Sequence, residues 1–86
     1  MAKVVLARSA RDALGKLDSL LADAILDALG ELQCDPEAGH RLRGRLTGLR
    51  IYRVGTYRII YQLRDSTTDR VIAIRHRGQA YDTDPR

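Results

Sequence analysis

The stretch Tyr52–Leu63, which reads YRVGTYRIIYQL, decides the fold of this 86-residue chain. Gly55-Thr56 interrupts two runs that are rich in β-branched and aromatic residues, as strands are. Glycine in the first position of a two-residue loop favours a type II′ hairpin turn. We therefore predict one strand over Arg50–Val54 and a second over Tyr57–Leu63.

The hairpin and the strand that follows it predict a row of arginines. Across the Gly55-Thr56 turn, Arg53 lies opposite Arg58. A third strand is predicted over Arg70–His76, after a turn at residues 65–68. If residues 64 and 69 pair around that turn, Arg58 also lies opposite Arg75.

Side-chain alternation along these strands sorts the sheet into two faces. One face is apolar enough to cover helices and contains Tyr57, Ile59, Tyr61, Leu63, Ile72 and Ile74. The other contains Arg53, Arg58, Arg75 and Arg77, with Ile51, Ile60, Val71 and Ala73 between them.

Upstream of the sheet, the sequence predicts a strand and a short helix. Lys3–Ala7 is a short β-branched run typical of a strand. Ser9 is expected to cap a helix, with Asp12 three residues later as in a capping box. This helix ends near Gly15 or Leu17.

A second helix begins at Asp18 or Ser19 and is stopped by Asp35-Pro36. Its apolar residues recur at helical spacing, at Leu21, Ile25, Ala28, Leu29 and Leu32. The whole chain, residues 1–86, is thus predicted to be a single α+β domain of order β-α-α-β-β-β. The helical hairpin covers one face of a twisted antiparallel sheet.

Charge is divided unevenly along the chain. Residues 1–40 contain four Lys or Arg and seven Asp or Glu, a net charge of −3, whereas residues 41–86 contain eleven Arg, no Lys and four Asp, a net charge of +7. Guanidinium groups suit bidentate phosphate contacts and stacking on bases. The second half is therefore expected to face an anion, and a nucleic acid in particular.

Several classes of protein are disfavoured by composition. No apolar run approaches the length of a membrane span, and the N-terminus lacks the pattern of a secretory signal. The lone Cys34 forms no internal disulfide, and no Cys/His cluster has zinc spacing. We expect a cytoplasmic protein without a metal or cofactor.

The arginine row needs a reason, because directly opposed like charges destabilise a sheet by up to about 1 kcal/mol each. One interpretation is a solvated surface, with the arginines splayed apart over neighbouring apolar groups. The other is a binding surface for a polyanion. The absence of acidic residues on this face within the predicted strands favours the polyanion.

Three motifs resemble those of the RelE family of type II toxins, within the RelE/ParE superfamily. They are LRG at residues 42–44, the Tyr52–Leu63 block, and HRGQAY at residues 76–81. Members show an R-x-G-x-Y-R block followed by two hydrophobic residues and Tyr, and a last strand that ends in H-R-x-x-x-Y. The resemblance implies a ribosome-dependent endoribonuclease that cleaves mRNA in the ribosomal A site and is neutralised by an acidic antitoxin.

The resemblance also implies roles for individual residues. Arg58 matches the arginine that stabilises charge on the scissile phosphate. Either Arg75 or Arg77 matches the arginine that acts on the leaving 5′ oxygen, and Tyr81 matches the tyrosine that stacks on a base. RNA-backbone contacts are expected from the two basic residues of the first hairpin strand, Arg50 and Arg53.

The general base is the weak point of this mechanism. Some members have a lysine at the position of Tyr52 or Arg53, and that lysine is missing here. His76 is the one residue of the block with an ordinary pKa near neutrality, and it is a candidate for RNA contact or for the base. By alternation, however, its side chain points to the helix-covered face unless the strand ends or twists there, which favours a structural role.

Two other functions stay open. ParE-type members share the scaffold but inhibit DNA gyrase without nuclease activity, and the missing lysine is compatible with them. An inactive RNA-binding module would keep the basic face and have no toxicity.

Overall fold

The computed structural model describes residues 2–42, 44, 48–65 and 67–76. Within them the chain forms two helices and five strands, in the order β1 (Lys3–Leu6), α1 (Arg8–Gly15), α2 (Ser19–Cys34), β2 (His40–Arg41), β3 (Arg50–Val54), β4 (Tyr57–Asp65) and β5 (Thr68–His76). This order confirms the α+β architecture and adds the two-residue strand β2. None of the described helices is long and apolar enough to cross a membrane.

The strands form one sheet in the order β1-β5-β4-β3-β2. Strands β2 to β5 are antiparallel neighbours, as the predicted three-stranded meander requires, whereas β1 runs parallel to β5. Backbone bonds hold β1 there, from Lys3 N–H to the Thr67 carbonyl at 2.7 Å and from Ala7 N–H to the Val71 carbonyl at 2.8 Å. The N-terminal strand therefore closes the fold against the last strand.

Helix α1 begins one residue before the predicted cap. Ala7 occupies the N-cap position and no side chain caps the helix, so the expectation that Ser9 caps it is wrong. The reason is the tight junction with β1: Ala7 N–H is bonded to β5 while the Ala7 carbonyl already accepts from Arg11 N–H at 3.0 Å. The helix ends at Gly15, one of the two predicted ends.

Helix α2 has the predicted boundaries. Asp18 is its N-cap, with its side chain accepting from Leu21 N–H at 3.0 Å, and the helix ends at Cys34, directly before Asp35-Pro36. Such a cap typically stabilises a helix by about 1 kcal/mol. Four of the five predicted apolar positions are buried, and the fifth, Leu21, is half-buried.

The main core lies between the helices and one face of the sheet, called here the helix face. Its buried members are Ala10, Ile25, Ala28, Leu29, Leu32, Ile59, Tyr61, Val71 and Ile74. Tyr57 and Leu63 pack against this cluster as well. The predicted core face of β4 is therefore confirmed.

Two irregularities in the β4–β5 ladder change the faces of β5. Ile60 pairs with Ala73 but Tyr61 pairs with Val71, which leaves Ile72 as the extra residue of a β-bulge. A bulge shifts side-chain alternation by one residue. Val71 consequently packs on the helix face and Ile72 on the opposite face, the reverse of the prediction.

The second irregularity lies near the β4–β5 turn. Leu63 pairs with Asp69 and Asp65 pairs with Thr68, so Arg64 is the extra residue on β4 and the predicted pairing of residues 64 and 69 is wrong. The strands also continue to Asp65 and from Thr68, which shortens the predicted turn at residues 65–68. Because the two extra residues lie on opposite strands, they offset each other, and the register beyond Ile72 is the predicted one.

A second apolar cluster covers the opposite face of the sheet. It contains Leu49, Ile51, Ile60, Ile72 and Ala73, with Leu42 packed against it. Leu42 N–H bonds to the Leu49 carbonyl at 2.9 Å, which joins the two ends of the connector between β2 and β3. Burial of a large aliphatic side chain stabilises a fold by about 1.5–3 kcal/mol, so the buried Leu49 contributes to the core.

Candidate nucleic-acid interface

Three arginines from adjacent strands form one transverse row, named here the arginine row. Arg53 pairs with Arg58 across β3 and β4, and Arg58 pairs with Arg75 across β4 and β5. Both predicted pairings are confirmed. The turn that sets the first pair has Gly55 at φ +58°, a left-handed conformation that favours glycine.

The row lies on the face opposite the helices, called here the row face. Tyr57 and Ile59, which flank Arg58 along β4, belong to the helix-face cluster, so Arg58 points the other way. Ile60 and Ala73, two positions further along their strands, begin the second apolar cluster. The arginine row therefore lies beside an apolar strip on the same face.

Some guanidinium nitrogens of the arginine row have hydrogen-bond acceptors, and others have none. Arg58 Nη1 donates to the carbonyls of Gly55 at 3.1 Å and Tyr57 at 3.0 Å, which folds the side chain back toward the hairpin turn. The Nε atoms of Arg58 and Arg75 are buried and have no hydrogen-bond partner within the described part of the chain. Buried donors without partners cost about 1–3 kcal/mol each, so stability alone does not favour this arrangement.

No acidic side chain neutralises the row among the residues that the structure describes. Strands β3 to β5 contain two acidic residues, Asp65 and Asp69. Asp65 pairs with Thr68 at the far end of the ladder, and Asp69 lies on the helix face. Three guanidinium groups thus lie on one face without an acidic neighbour, as expected for a phosphate-binding surface.

His76 lies on the other side of the sheet from the row. It pairs with Tyr57, and the two rings meet edge to face with their centroids 5.5 Å apart. The alternation argument for its orientation is confirmed. His76 is therefore not beside the arginine row.

Arg50 also lies apart from the row, because it pairs with Tyr61 and shares the helix face. Its Nη1 donates to the carbonyls of Glu37 at 3.3 Å and Gly39 at 3.1 Å, and its side chain is 15% exposed. Its contact with the Glu37 carboxylate, at 3.7 Å, is a loose ion pair. The structure thus separates Arg50 from Arg53 and uses its guanidinium to hold the segment after α2.

Tyr61 on β4 also anchors the segment between α2 and β2. Its hydroxyl donates to the Pro36 carbonyl and accepts from Gly39 N–H, both at 2.9 Å, and burial raises the pKa of this phenol. A Cβ at position 39 would lie 2.6 Å from the Tyr61 hydroxyl and 2.8 Å from the Ile51 carbonyl. Only glycine permits this approach.

Tyr52 ties α2 to the sheet. Its hydroxyl donates to the Glu31 carboxylate, and this hydrogen bond raises the pKa of Tyr52. Tyr52 is one of the two positions, with Arg53, where some family members have a lysine, and its side chain lies on the helix face. It is therefore no substitute for that lysine in the row.

Asp69 is a buried carboxyl that sequence reasoning missed. It is fully buried, pairs with Leu63 on β4 and Val4 on β1, and neither of its oxygens has a hydrogen-bond partner among the described residues. Burial raises its pKa to about 6, although the nearby Arg50 guanidinium opposes this shift. The available signal was an aspartate inside a β-branched strand.

Two predicted site residues, Arg77 and Tyr81, lie outside the described residues. Within the described ranges no group of three or more His, Cys, Asp or Glu side chains could hold a metal ion.

Comparison with known structures finds the same fold in several toxins. The chain is 34% identical to a chain of the RelBE2 toxin-antitoxin complex from Mycobacterium tuberculosis, with a TM-score of 0.81 over 88% of this chain and 98% of that one. The archaeal RelE-RelB complex from Pyrococcus horikoshii gives 26% identity and a TM-score of 0.72 over 92% and 98%. The YoeB/ParE toxin from Agrobacterium tumefaciens, at 24% identity and a TM-score of 0.75 over 86% and 96%, shares the fold.

The family comparison agrees with the structures. Curated proteins give no significant match to the sequence. The family model described as the ParE toxin of the type II toxin-antitoxin system parDE matches residues 4–81. The resemblance to the RelE/ParE superfamily is thereby confirmed, and the chain belongs to the ParE toxin family of type II toxin-antitoxin systems.

Proposed function

We propose that this toxin is a ribosome-dependent endoribonuclease that cleaves mRNA in the A site, in the cytoplasm. One observation carries the proposal: Arg53, Arg58 and Arg75 form a continuous cationic row whose buried Nε donors lack partners among the described residues. A surface that only needed solubility would not align like charges at a cost in sheet stability. A phosphodiester would neutralise the row.

The chemistry begins with attack of the substrate 2′-OH on the adjacent phosphate. The P–O5′ bond breaks, giving a 2′,3′-cyclic phosphate and a free 5′-OH, while the 2′ proton passes to solvent and the leaving 5′ oxygen takes a proton from solvent. Arg58 stabilises the phosphorane charge, and Arg75 or Arg77 acts at the leaving oxygen. No cofactor is required.

Orientation and electrostatics supply most of the rate in this proposal. Arginine stays protonated in proteins and is a poor base. Removing a single positioned donor to a developing oxyanion typically costs 10²- to 10³-fold in rate, so a row of such donors is a substantial catalyst without a base. The ribosome would hold the mRNA in the attacking geometry, Arg53 would contact its backbone, and Tyr81 would stack on a base.

An acidic antitoxin is the expected partner. Solved relatives are toxin-antitoxin complexes from Mycobacterium tuberculosis and Pyrococcus horikoshii. A net charge of +7 over residues 41–86 suits an acidic segment that neutralises the row face.

Induced expression tests the proposal. Growth should stop, and primer extension should show new mRNA 5′ ends inside translated codons. Arg58→Ala and Tyr81→Ala should relieve the arrest and remove the new ends. Arg64→Ala, which replaces an exposed arginine at the other end of β4, is the matched control and should stay toxic.

The second candidate is inhibition of DNA gyrase without nuclease activity. Two observations favour it: the matching family model is that of ParE, and His76 lies on the face opposite the arginine row. Growth arrest with intact mRNA and accumulating gyrase-linked DNA breaks would select this function. A folded, soluble product without any growth effect would select the inactive RNA-binding module.

A further inference from the structure

A cleft of about 370 Å³ opens at the end of the sheet away from the β3–β4 turn. Its walls include Leu42, Gly48 and Leu49 at the two ends of the connector, together with the ends of β3 and β4. Leu42, Leu49 and Leu63 supply apolar surface, and Arg41, Arg50 and Glu37 supply charge. Its size is at the lower end of the range for specific ligand pockets, and it would take one or two amino-acid side chains.

The charges around this cleft favour an anionic group. Arg50 is oriented by two backbone carbonyls, so its position is fixed before any ligand arrives. The exposed Arg41 has no hydrogen bond or ion pair from its side chain to another described residue. Glu37 is 75% exposed and 3.7 Å from Arg50, a geometry that neutralises little of the positive charge.

The surface chemistry discriminates between a nucleotide and a peptide. Single-stranded nucleic acids are usually held by stacking on aromatic side chains, and none of the described residues around the cleft is aromatic. Three leucines beside two arginines instead match an aliphatic side chain that is flanked by a carboxylate.

We propose that this cleft anchors an acidic segment of the antitoxin through one aliphatic side chain and an adjacent carboxylate. The inference rests on the antitoxin partner of the proposed function, but not on whether the toxin cleaves RNA or inhibits gyrase. Leu42 and Leu49, which line the cleft, belong to the apolar cluster of the row face, and that cluster lies beside the arginine row. A segment anchored in the cleft can therefore continue over the row face and cover the arginine row.

A neighbouring cavity with an acidic wall indicates in which direction the antitoxin segment runs. It shares Glu37 and Leu63 with the cleft, and its further walls include Asp65 and Pro36. Acidic side chains of the antitoxin belong beside Arg41 and Arg50, and basic or neutral ones beside Asp65.

If the cleft binds only the antitoxin, a substitution in it should weaken neutralisation by the antitoxin without reducing toxicity. Arg41→Glu should weaken binding of the co-expressed cognate antitoxin at least about tenfold, since it places a carboxylate against a carboxylate. The variant should still arrest growth, and it should do so even when the antitoxin is present. Arg64→Glu makes the same charge change at an exposed site outside the cleft and should be neutralised like the wild type.

Two outcomes would overturn the inference. One is that the antitoxin fully neutralises Arg41→Glu in the growth assay and binds it with an unchanged Kd in titration calorimetry. The other is loss of toxicity in Arg41→Glu with an unaltered circular dichroism spectrum, which would assign Arg41 to the toxic activity. If the toxin inhibits gyrase instead of cleaving mRNA, growth arrest persists and only the mRNA cleavage is missing. If the protein has no growth effect at all, the Kd of Arg41→Glu for the antitoxin still tests the cleft.

Methyl NMR of the wild type gives a second readout. A pentapeptide with leucine between glutamates should shift the methyl signals of Leu42, Leu49 and Leu63, whereas adenosine monophosphate and a lysine-flanked control peptide should not. Shifts with the nucleotide and none with the acidic peptide would overturn the proposal in favour of an RNA subsite.

Discussion

Arg58 lies directly opposite Arg75 on the antiparallel β4–β5 ladder, and both side chains keep a buried Nε without a hydrogen-bond partner among the described residues. Like charges at paired positions destabilise a sheet, and unsatisfied donors add to that cost. A stabilising arrangement would place an acidic residue at one of these positions. The pair is therefore evidence that this face evolved for a ligand.

We expect Arg58→Ala to lose toxicity without losing stability. Removing the central charge relieves repulsion with both neighbours, so the free energy of unfolding should stay within about 0.5 kcal/mol of the wild type or rise. Growth assays and urea denaturation measure the two quantities. Arg64→Ala should change neither, and a strongly destabilised Arg58→Ala would mean that the row has a structural role.

His76→Ala should remain toxic. The ring stands edge to face against Tyr57 on the face opposite the arginine row, so it is not placed to take a proton from a substrate bound to the row. Growth arrest and primer extension with this variant check the expectation. Loss of mRNA cleavage with an unchanged melting temperature would instead make His76 the general base.

The limits of sequence reasoning are visible in β5. The turn residues and strand parity predict the arginine row correctly, because the hairpin turn at Gly55-Thr56 is a local signal. The bulge at Ile72 has no such signal, since it depends on packing against two faces at once. Every residue on the N-terminal side of the bulge is therefore assigned to the wrong face by simple alternation.

Asp69 is one of the residues that alternation assigns to the wrong face. Plain alternation puts Arg70 on the helix face with Ile72, and Asp69 on the other face. The bulge exchanges them and buries an acidic side chain. Long-range contacts, such as Arg50 with the carbonyls of Glu37 and Gly39, are likewise invisible to local patterns.

Gly39→Ala should be strongly destabilising, by about 2 kcal/mol or more. The new methyl group would lie 2.8 Å from the Ile51 carbonyl, which belongs to a strand backbone and cannot move aside cheaply. Gly30→Ala is a matched control in the interior of α2, where nothing lies within 4 Å of the added Cβ. It should stabilise the protein by up to about 1 kcal/mol. Equal effects of the two substitutions in thermal unfolding would contradict the close packing of Gly39 on Tyr61.

Asp69→Asn should stabilise the toxin at neutral pH. Burial raises the pKa of Asp69 in the folded state from its ordinary value of 3.8 to about 6, so between these values the folded chain binds more protons than the unfolded chain. The contribution of Asp69 to stability consequently falls as pH rises through this window, by up to about 3 kcal/mol, and is constant above it. Asparagine does not ionise, so Asp69→Asn does not lose stability in this way as pH rises. Its free energy of unfolding should be higher than that of the wild type at pH 7.5 but not at pH 4.

Asp65→Asn provides a control of opposite sign. Hydrogen bonds from Thr67 lower the pKa of the exposed Asp65 carboxylate, so its stabilising contribution is present at neutral pH and lost as pH falls through its folded-state pKa. This variant should be less stable than the wild type at pH 7.5, with the difference shrinking in acid. Urea denaturation of the three proteins from pH 3.5 to 8 measures both trends. If Asp69→Asn tracks the wild type across this range, the carboxyl is solvated or paired in solution and the buried, unpartnered state of Asp69 is wrong.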